Sequence, residues 1–215
     1  MQDAQLEKLA RYSGDPWNPK NEYFAKAEAH MENLWAKLVW PFISDCDFTV
    51  VVDLAAGHGR NSERLLPLVK EALHITDIQP GNVAICAERF KDSAKVHTFV
   101  GNGYDFRPLE DESVTLVYCF DAMVHFDSDV VRSYLKDSLR VLRPGGRAFY
   151  HHSNYTGGHD WRTNPGARNF MSAALFEHYA LKEGLAVVRQ KVIDWQRKDH
   201  DCVTLVEKPG GAAKG

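Results

Sequence analysis

Hydrophobic and polar positions follow two alternating rhythms along most of the chain. Residues 48–54 (FTVVVDL) form an unbroken apolar run rich in β-branched residues, the pattern of a strand buried on both faces. A glycine turn follows, and 61–72 carries helical spacing broken or kinked at Pro67. LHITDI (73–78) predicts a second strand. Residues 80–91 predict a helix that opens at Pro80 and buries Val83, Ala84, Ala87 and Phe90. VHTFVG (96–101) and VTLVYCF (114–120) are the third and fourth strands. Residues 128–142 form a helix burying Val130, Tyr134, Leu135, Leu139 and Leu142. Arg143-Pro144-Gly145-Gly146 stops it, and RAFYHHS (147–153) is a fifth strand. Alternation at this pace implies an α/β chain of βαβ units on a doubly wound parallel sheet.

The last third breaks the rhythm. Residues 154–170 lack periodicity and hold Gly157, Gly158, Pro165 and Gly166, so they form a long loop. Residues 172–183 predict a helix capped by Ser172 and ended by Gly184. Two strands, 185–194 and 201–207, then come with no helix between them, joined by the polar turn QRKDH. They must pair as an antiparallel hairpin. The expected fold is therefore a mostly parallel seven-stranded sheet with a C-terminal antiparallel hairpin. Upstream, 21–43 reads as an aromatic-rich helix with Tyr23, Phe24, Trp35 and Trp40. We expect one domain: an N-terminal helical cap (1–46), a core (47–207) and a low-complexity, frayed tail (208–215).

Composition narrows the chemistry. The chain has 215 residues, enough for one full core, with 26 Lys and Arg against 29 Asp and Glu and a net charge of −3. That balance weighs against a nucleic-acid partner. No apolar run approaches a membrane span and the N-terminus is polar, so no membrane association and a cytoplasmic location are expected. Cys46, Cys86, Cys119 and Cys202 are scattered without a C-x-x-C pair, which suggests neither a zinc site nor a disulfide framework.

The candidate chemistry starts at VVVDLAAGHGR (50–60), an acid at a strand end followed by two glycines turning into a helix. Glycines let backbone N–H groups approach a ligand, and a helix N-terminus favours negative charge. The dinucleotide fingerprint would want a third glycine where Ser62 stands. Asp53, four residues before Gly57, would repel a pyrophosphate but suits a cationic, amino-bearing ligand. Asp77 closes the second strand, where a carboxylate can accept both hydroxyls of a ribose; an NAD enzyme also wants that acid. Either aspartate could instead be a helix cap or a solvated strand end.

At these residues the sequence resembles the class I S-adenosylmethionine-dependent methyltransferases, over about residues 48–207. VVVDLAAGHGR matches the first motif, D-x-A/G-x-G-x-G, and ITDIQ the second-strand acid. GNGYDF (101–106) matches the adenine-contact segment and VLRPGGRAFY (141–150) the fifth-strand motif. The terminal hairpin matches the sixth and seventh strands. The resemblance implies a Rossmann-like methyltransferase fold and S-adenosyl-L-methionine as cofactor, leaving S-adenosyl-L-homocysteine as product. It places Asp53 near the methionine amino group, with Ala55, Gly57 and Gly59 lining the turn. Asp77 would hold the ribose and Ile78 pack on adenine. Asn102, where the family often has Asp, would accept from the adenine amino group through its amide oxygen, beside Gly103. Phe120 and Asp121 end the fourth strand near the methionine end. Tyr23 and Trp17 would close over the site as aromatic lids, or else pack in the core.

For the acceptor, a hydroxyl needs a base, and His suits that role at neutral pH. His125, in DAMVHFDSD, resembles a histidine placed similarly in plant small-molecule O-methyltransferases; packing or cofactor support is the other reading. Of His151 and His152 at the end of the fifth strand, at most one faces the acceptor, and His152 is the second candidate base. A metal site from these and His159-Asp160 matches no standard ligand spacing, so no metal is expected. The loop 153–170 carries Tyr155, Trp161, Phe170, Arg162 and Arg168. Stacking by Trp161 and a fork from Arg162 or Arg168 would suit an anionic or sugar-like small molecule. The resulting expectation is O-methylation of a small molecule by a monomer or homodimer. The alternatives are an RNA or protein acceptor, an NAD(P)-dependent reductase, and a non-catalytic cofactor-fold protein.

Overall fold

The computed structural model describes residues 3–11, 30–157 and 167–210. Helix α1 spans Asp3–Ala10. Residues 30–43 form helix α2, which contains a π-turn, Trp35–Val39, before its last α-turn, Trp40–Ile43. Then come β1 (Val50–Leu54), α3 (Arg60–Leu65), β2 (Ala72–Asp77), α4 (Pro80–Arg89), β3 (Val96–Val100) and β4 (Val114–Cys119). The chain continues through α5 (Ser128–Val141), β5 (Leu142–Ser153), α6 (Ala173–Lys182), β6 (Ala186–Trp195) and β7 (Arg197–Glu207).

The seven strands form one sheet in the order β3-β2-β1-β4-β5-β7-β6. β1 to β5 run parallel, and β7 pairs antiparallel to both β5 and β6. Every residue of β1 and β4 is buried, as their continuous apolar runs require. One face packs on α1, α5 and α6 through Leu6, Val130, Leu135 and Phe176; the other packs on α2, α3 and α4 through Ile43, Leu65 and Cys86. The doubly wound, mostly parallel sheet is as the alternation of rhythms predicted.

Three boundaries differ for local reasons. The helix expected over 61–72 ends at Leu65, and Leu66–Leu68 tightens into a 3-10 turn because Pro67 has no N–H to continue the ladder. β5 begins at Leu142, so Pro144-Gly145-Gly146 lies within the strand; a register shift against β4 and Gly145 at φ 79° absorb it. In the hairpin, Trp195 pairs with Arg197 across Gln196 alone, which adopts φ 59°. The polar stretch QRKDH thus marks an exposed strand rather than a loop. Ser172 caps α6 by accepting from the Leu175 amide at 3.1 Å, as its sequence position indicates.

Candidate active site

The chain leaves β1 toward β2 and β3 but returns through β4 to β5 on the other side, so a crevice opens beyond the carboxyl ends of β1 and β4. A pocket of about 80 Å³ lies there. Its wall includes Ala55, Asp77, Ile78, Gly103, Asp121 and His125, all singled out from the sequence. It also includes Ala10 of α1, Asn82 of α4 and Phe126, which sequence reasoning did not reach, and Tyr134, which the helical spacing assigns to the core. Asn82 sits five residues after Asp77, one turn into α4, and that spacing was a legible signal.

The glycine turn is organised by Asp77. Its Oδ2 accepts from the Gly57 amide at 2.9 Å, and its Oδ1 accepts from the Gln79 amide at 2.9 Å and Asn82 Nδ2 at 3.3 Å. Gly57 and Gly59 adopt positive φ, and a Cβ on Gly59 would fall 2.6 Å from Phe90. Ala55 also has positive φ, 55°, where the motif allows Ala or Gly. Asp53 is fully buried below this turn. Burial pushes its carboxyl up to about 7, against the pull of the Ser62 hydroxyl, which donates to Oδ2 at 2.6 Å, and of the Arg60 charge. Asp53 Oδ1 has no hydrogen-bond partner among the described residues.

Other expected contacts take different forms. The Asn102 amide oxygen accepts from the Tyr104 and Asp105 amides at 3.0 Å each, and Nδ2 donates to Asp105 at 2.7 Å. Asn102 thus folds the turn that presents Gly103, and the oxygen expected to meet adenine is engaged by backbone. Phe120 does not line the pocket; it lies buried beneath it, 4.8 Å from the His151 ring.

The histidines separate clearly. His125 closes a 3-10 turn, Met123–His125, and lines the pocket. Its Nδ1 lies 2.9 Å from the Ala167 carbonyl. A carbonyl can only accept, so Nδ1 carries the proton and the lone pair of the neutral ring sits on Nε2. Burial lowers its pKa below the ordinary histidine value. His152 points away from this pocket. It is buried against Phe176, stacked at 3.9 Å, with Nε2 at 2.9 Å from Thr204 Oγ1, and burial lowers its pKa to about 3. That environment corrects its candidacy as a base: it is a neutral core side chain.

Arg168, expected to reach an anionic acceptor, instead closes its fork on Asp201 at 2.9 and 2.7 Å. Tyr23, Trp17, Trp161, Arg162, His159 and Asp160 lie outside the described residues. Among the described residues no group of three or more His, Cys, Asp or Glu could hold a metal, and no helix is long and apolar enough to cross a membrane.

Residues 51–146 match the family model of a methyltransferase domain. No curated protein is significantly similar to the chain in sequence. Among solved structures, the chain resembles one from the complex of the Haloferax volcanii Trm112 methyltransferase activator with a proposed methyltransferase. That likeness has 21% identity and a TM-score of 0.69, covering 88% of this chain and 96% of that one. It also resembles the geranyl diphosphate C-methyltransferase of Streptomyces coelicolor A3(2), solved with Mg2+, geranyl diphosphate and S-adenosyl-L-homocysteine, at 12% identity and TM-score 0.67 over 89% and 84% of the two chains. A proposed sarcosine dimethylglycine methyltransferase from Galdieria sulphuraria matches at 16% identity and TM-score 0.65 over 91% of each chain.

Residues 51–146 thus carry a methyltransferase domain, and the fold around it is that of the S-adenosylmethionine-dependent methyltransferases it resembles. That domain is a transferase domain, and the Streptomyces likeness was solved with S-adenosyl-L-homocysteine, the product form of the cofactor S-adenosylmethionine. The pocket fits that cofactor. The Asp77 carboxylate on its wall and the unpartnered oxygen of Asp53 beneath it supply negative potential for a ligand carrying an ammonium and a sulfonium.

Proposed function

We propose that the enzyme methylates a hydroxyl oxygen of a small molecule, with His125 as general base. The carrying observation is the Ala167 carbonyl on His125 Nδ1, which puts the basic lone pair on Nε2 of a ring lining the cofactor pocket beside Asp121. Bound S-adenosylmethionine supplies an electrophilic methyl group on a sulfonium. Asp77 would hold the ribose hydroxyls, Ile78 and Gly103 would flank the adenine, and Asp53 and Asp121 would set the field at the methionine end. The chain's main task is then to align the acceptor oxygen in line with the transferred methyl and to take its proton at His125.

Trp161 and Arg162 would contact the acceptor from the loop after β5, with Tyr23 as a lid. Since Arg168 is engaged by Asp201, an anionic group on the acceptor would meet Arg162. The acidic net charge supports a small acceptor over RNA. The Haloferax likeness supports assaying the chain with and without a Trm112-type activator.

The test is methyl transfer from S-adenosylmethionine to a panel of hydroxyl, amine and carbon acceptors. On the hydroxyl acceptor that turns over, His125→Ala should lower kcat by about 10²–10⁴-fold with little change in cofactor affinity. Because burial depresses the His125 pKa, the wild-type rate should rise with pH through a group titrating below the ordinary histidine value and then stay flat. Full activity in the mutant would leave alignment alone as the source of catalysis.

A further inference from the structure

We propose that Asp201 is a positioning residue that holds both ends of one pocket segment, Asp121 to His125, at once: Asp121 through His151 and His125 through Arg168. Asp201 lies on β7 opposite Ser153 of β5 and is fully buried. Its Oδ2 accepts from His151 Nε2 at 3.0 Å and from an Arg168 guanidinium nitrogen at 2.7 Å, and its Oδ1 accepts from Arg168 Nε at 2.9 Å. Burial alone would raise its pKa, but the bonds from His151 and Arg168 outweigh it and keep the carboxyl below its ordinary value.

The first arm runs through a tautomer. A carboxylate accepts only, so His151 carries its proton on Nε2 and its Nδ1 must accept. The group it accepts from is the backbone N–H of Asp121, at 3.1 Å. Asp121 sits at φ 60°, a left-handed conformation that an L side chain adopts at a cost, and it lines the pocket. Asp201 thus fixes which nitrogen of His151 can hold the Asp121 peptide in that conformation. The Asp121 side chain is aimed at Arg60, 3.1 Å away, so rotation of this peptide would move a buried ion pair at the pocket.

The second arm runs through a loop. The two-point bond to Asp201 anchors Arg168, and its neighbours stitch the loop to the turn that carries His125. The Ala167 carbonyl accepts from His125 Nδ1 at 2.9 Å, and the Asn169 amide donates to the Val124 carbonyl at 3.0 Å. Releasing Arg168 would let the Ala167 carbonyl drift and His125 lose its single tautomer. The catalytic meaning of this arm rests on the proposed base; the tautomer itself does not.

The test uses the full chain and needs no acceptor. Ring tautomers of His125 and His151 are read by long-range ¹H–¹⁵N NMR, and S-adenosyl-L-homocysteine affinity by calorimetry. Arg168→Met should turn His125 from one tautomer into a mixture while leaving S-adenosyl-L-homocysteine affinity near wild type. His151→Phe should weaken that affinity roughly tenfold, the effect of one lost buried bond, and leave the His125 tautomer intact. Asp201→Asn keeps the shape but not the charge, and should show both changes. If Asp201→Asn fails to fold, the two single-arm variants still decide. The proposal is overturned if neither single-arm variant moves its own readout. It is equally overturned if both merely lower Tm while tautomer and affinity stay as in the wild type.

Discussion

The two halves of the sheet hold the pocket by different means. On the β1–β2–β3 side the bonds made by Asp77 and Asn102 are short in sequence: Gly57 to Asp77 spans 20 residues, Asn82 to Asp77 spans 5, and Tyr104 to Asn102 spans 2. On the β4–β5–β7 side they are long: Asp121 to His151 spans 30, His125 to Ala167 spans 42, and His151 to Asp201 spans 50. The first half is nearly self-contained, built from successive βα turns. The second is complete only when the terminal hairpin has docked. Damage on the first side should therefore appear as lost cofactor affinity, and damage on the second should spread from the hairpin to the proposed base.

The hardest blow to the first side is Asp77→Ala. It removes the carboxylate that ties the Gly57 amide to the start of α4, and with it the proposed ribose acceptor. Each charged hydrogen bond lost costs about 1.5–3 kcal/mol. The Kd for S-adenosyl-L-homocysteine should rise about 10- to 150-fold by calorimetry, while the His125 tautomer stays as it is. Unchanged affinity would show that the turn holds without Asp77 and that the ribose is bound elsewhere.

The same contrast explains what the sequence made legible. The wall residues Ala55, Asp77, Ile78 and Gly103 follow from local motifs, because a strand end, a turn and a helix start fix their backbone within a few residues. Asp121 and His125 were legible as positions but not as parts of a network, since Asp201, His151 and the 167–169 loop reach them only through tertiary contact. Alternation along β5 established that His151 and His152 face opposite ways. It could not show that one joins the Asp201 network while the other stacks on Phe176. Asn102 was read through the family's adenine contact, whereas a short amide side chain two residues before a turn's N–H more often bonds that turn. Ala10 was invisible because nothing in a polar N-terminal helix says which pocket it will cover.

A subtler test of the first side is Gly103→Ala. Gly103 adopts φ 90°, and a Cβ there would lie 2.5 Å from Ile78 Cδ1 and 2.6 Å from Ala10 Cβ. Both neighbours line the pocket, so the added methyl must push Ile78 toward the proposed adenine site or lift α1 from the wall. Overpacking of this kind costs about 1–3 kcal/mol. S-adenosyl-L-homocysteine affinity should fall about 5- to 30-fold, with faster hydrogen exchange in Asp3–Ala10 if α1 is what gives way. An affinity within twofold of wild type would place the adenine away from this wall.

The smallest expected effect concerns Asp53, and it separates a buried structural acid from one that senses the cofactor. Burial raises its carboxyl to about 7 in the folded protein, against an ordinary value of 3.8. The folded state therefore holds this proton more tightly. Its contribution to stability is fully present below about pH 4 and is lost as pH rises through about 7. A methionine ammonium brought near Asp53 would favour the anion and pull that pKa down. Binding at pH 6 should then release a proton, detected as a calorimetric heat that varies with the ionisation enthalpy of the buffer. Affinity should rise by up to about tenfold between pH 6 and pH 8, since the proton no longer has to be removed. Asp53→Asn should abolish both the buffer dependence and the rise. It should also flatten the loss of stability between about pH 4 and 7. A wild-type protein that binds with no proton release, yet loses stability over that window, would make Asp53 a structural acid, held by Ser62 and indifferent to the cofactor's amine.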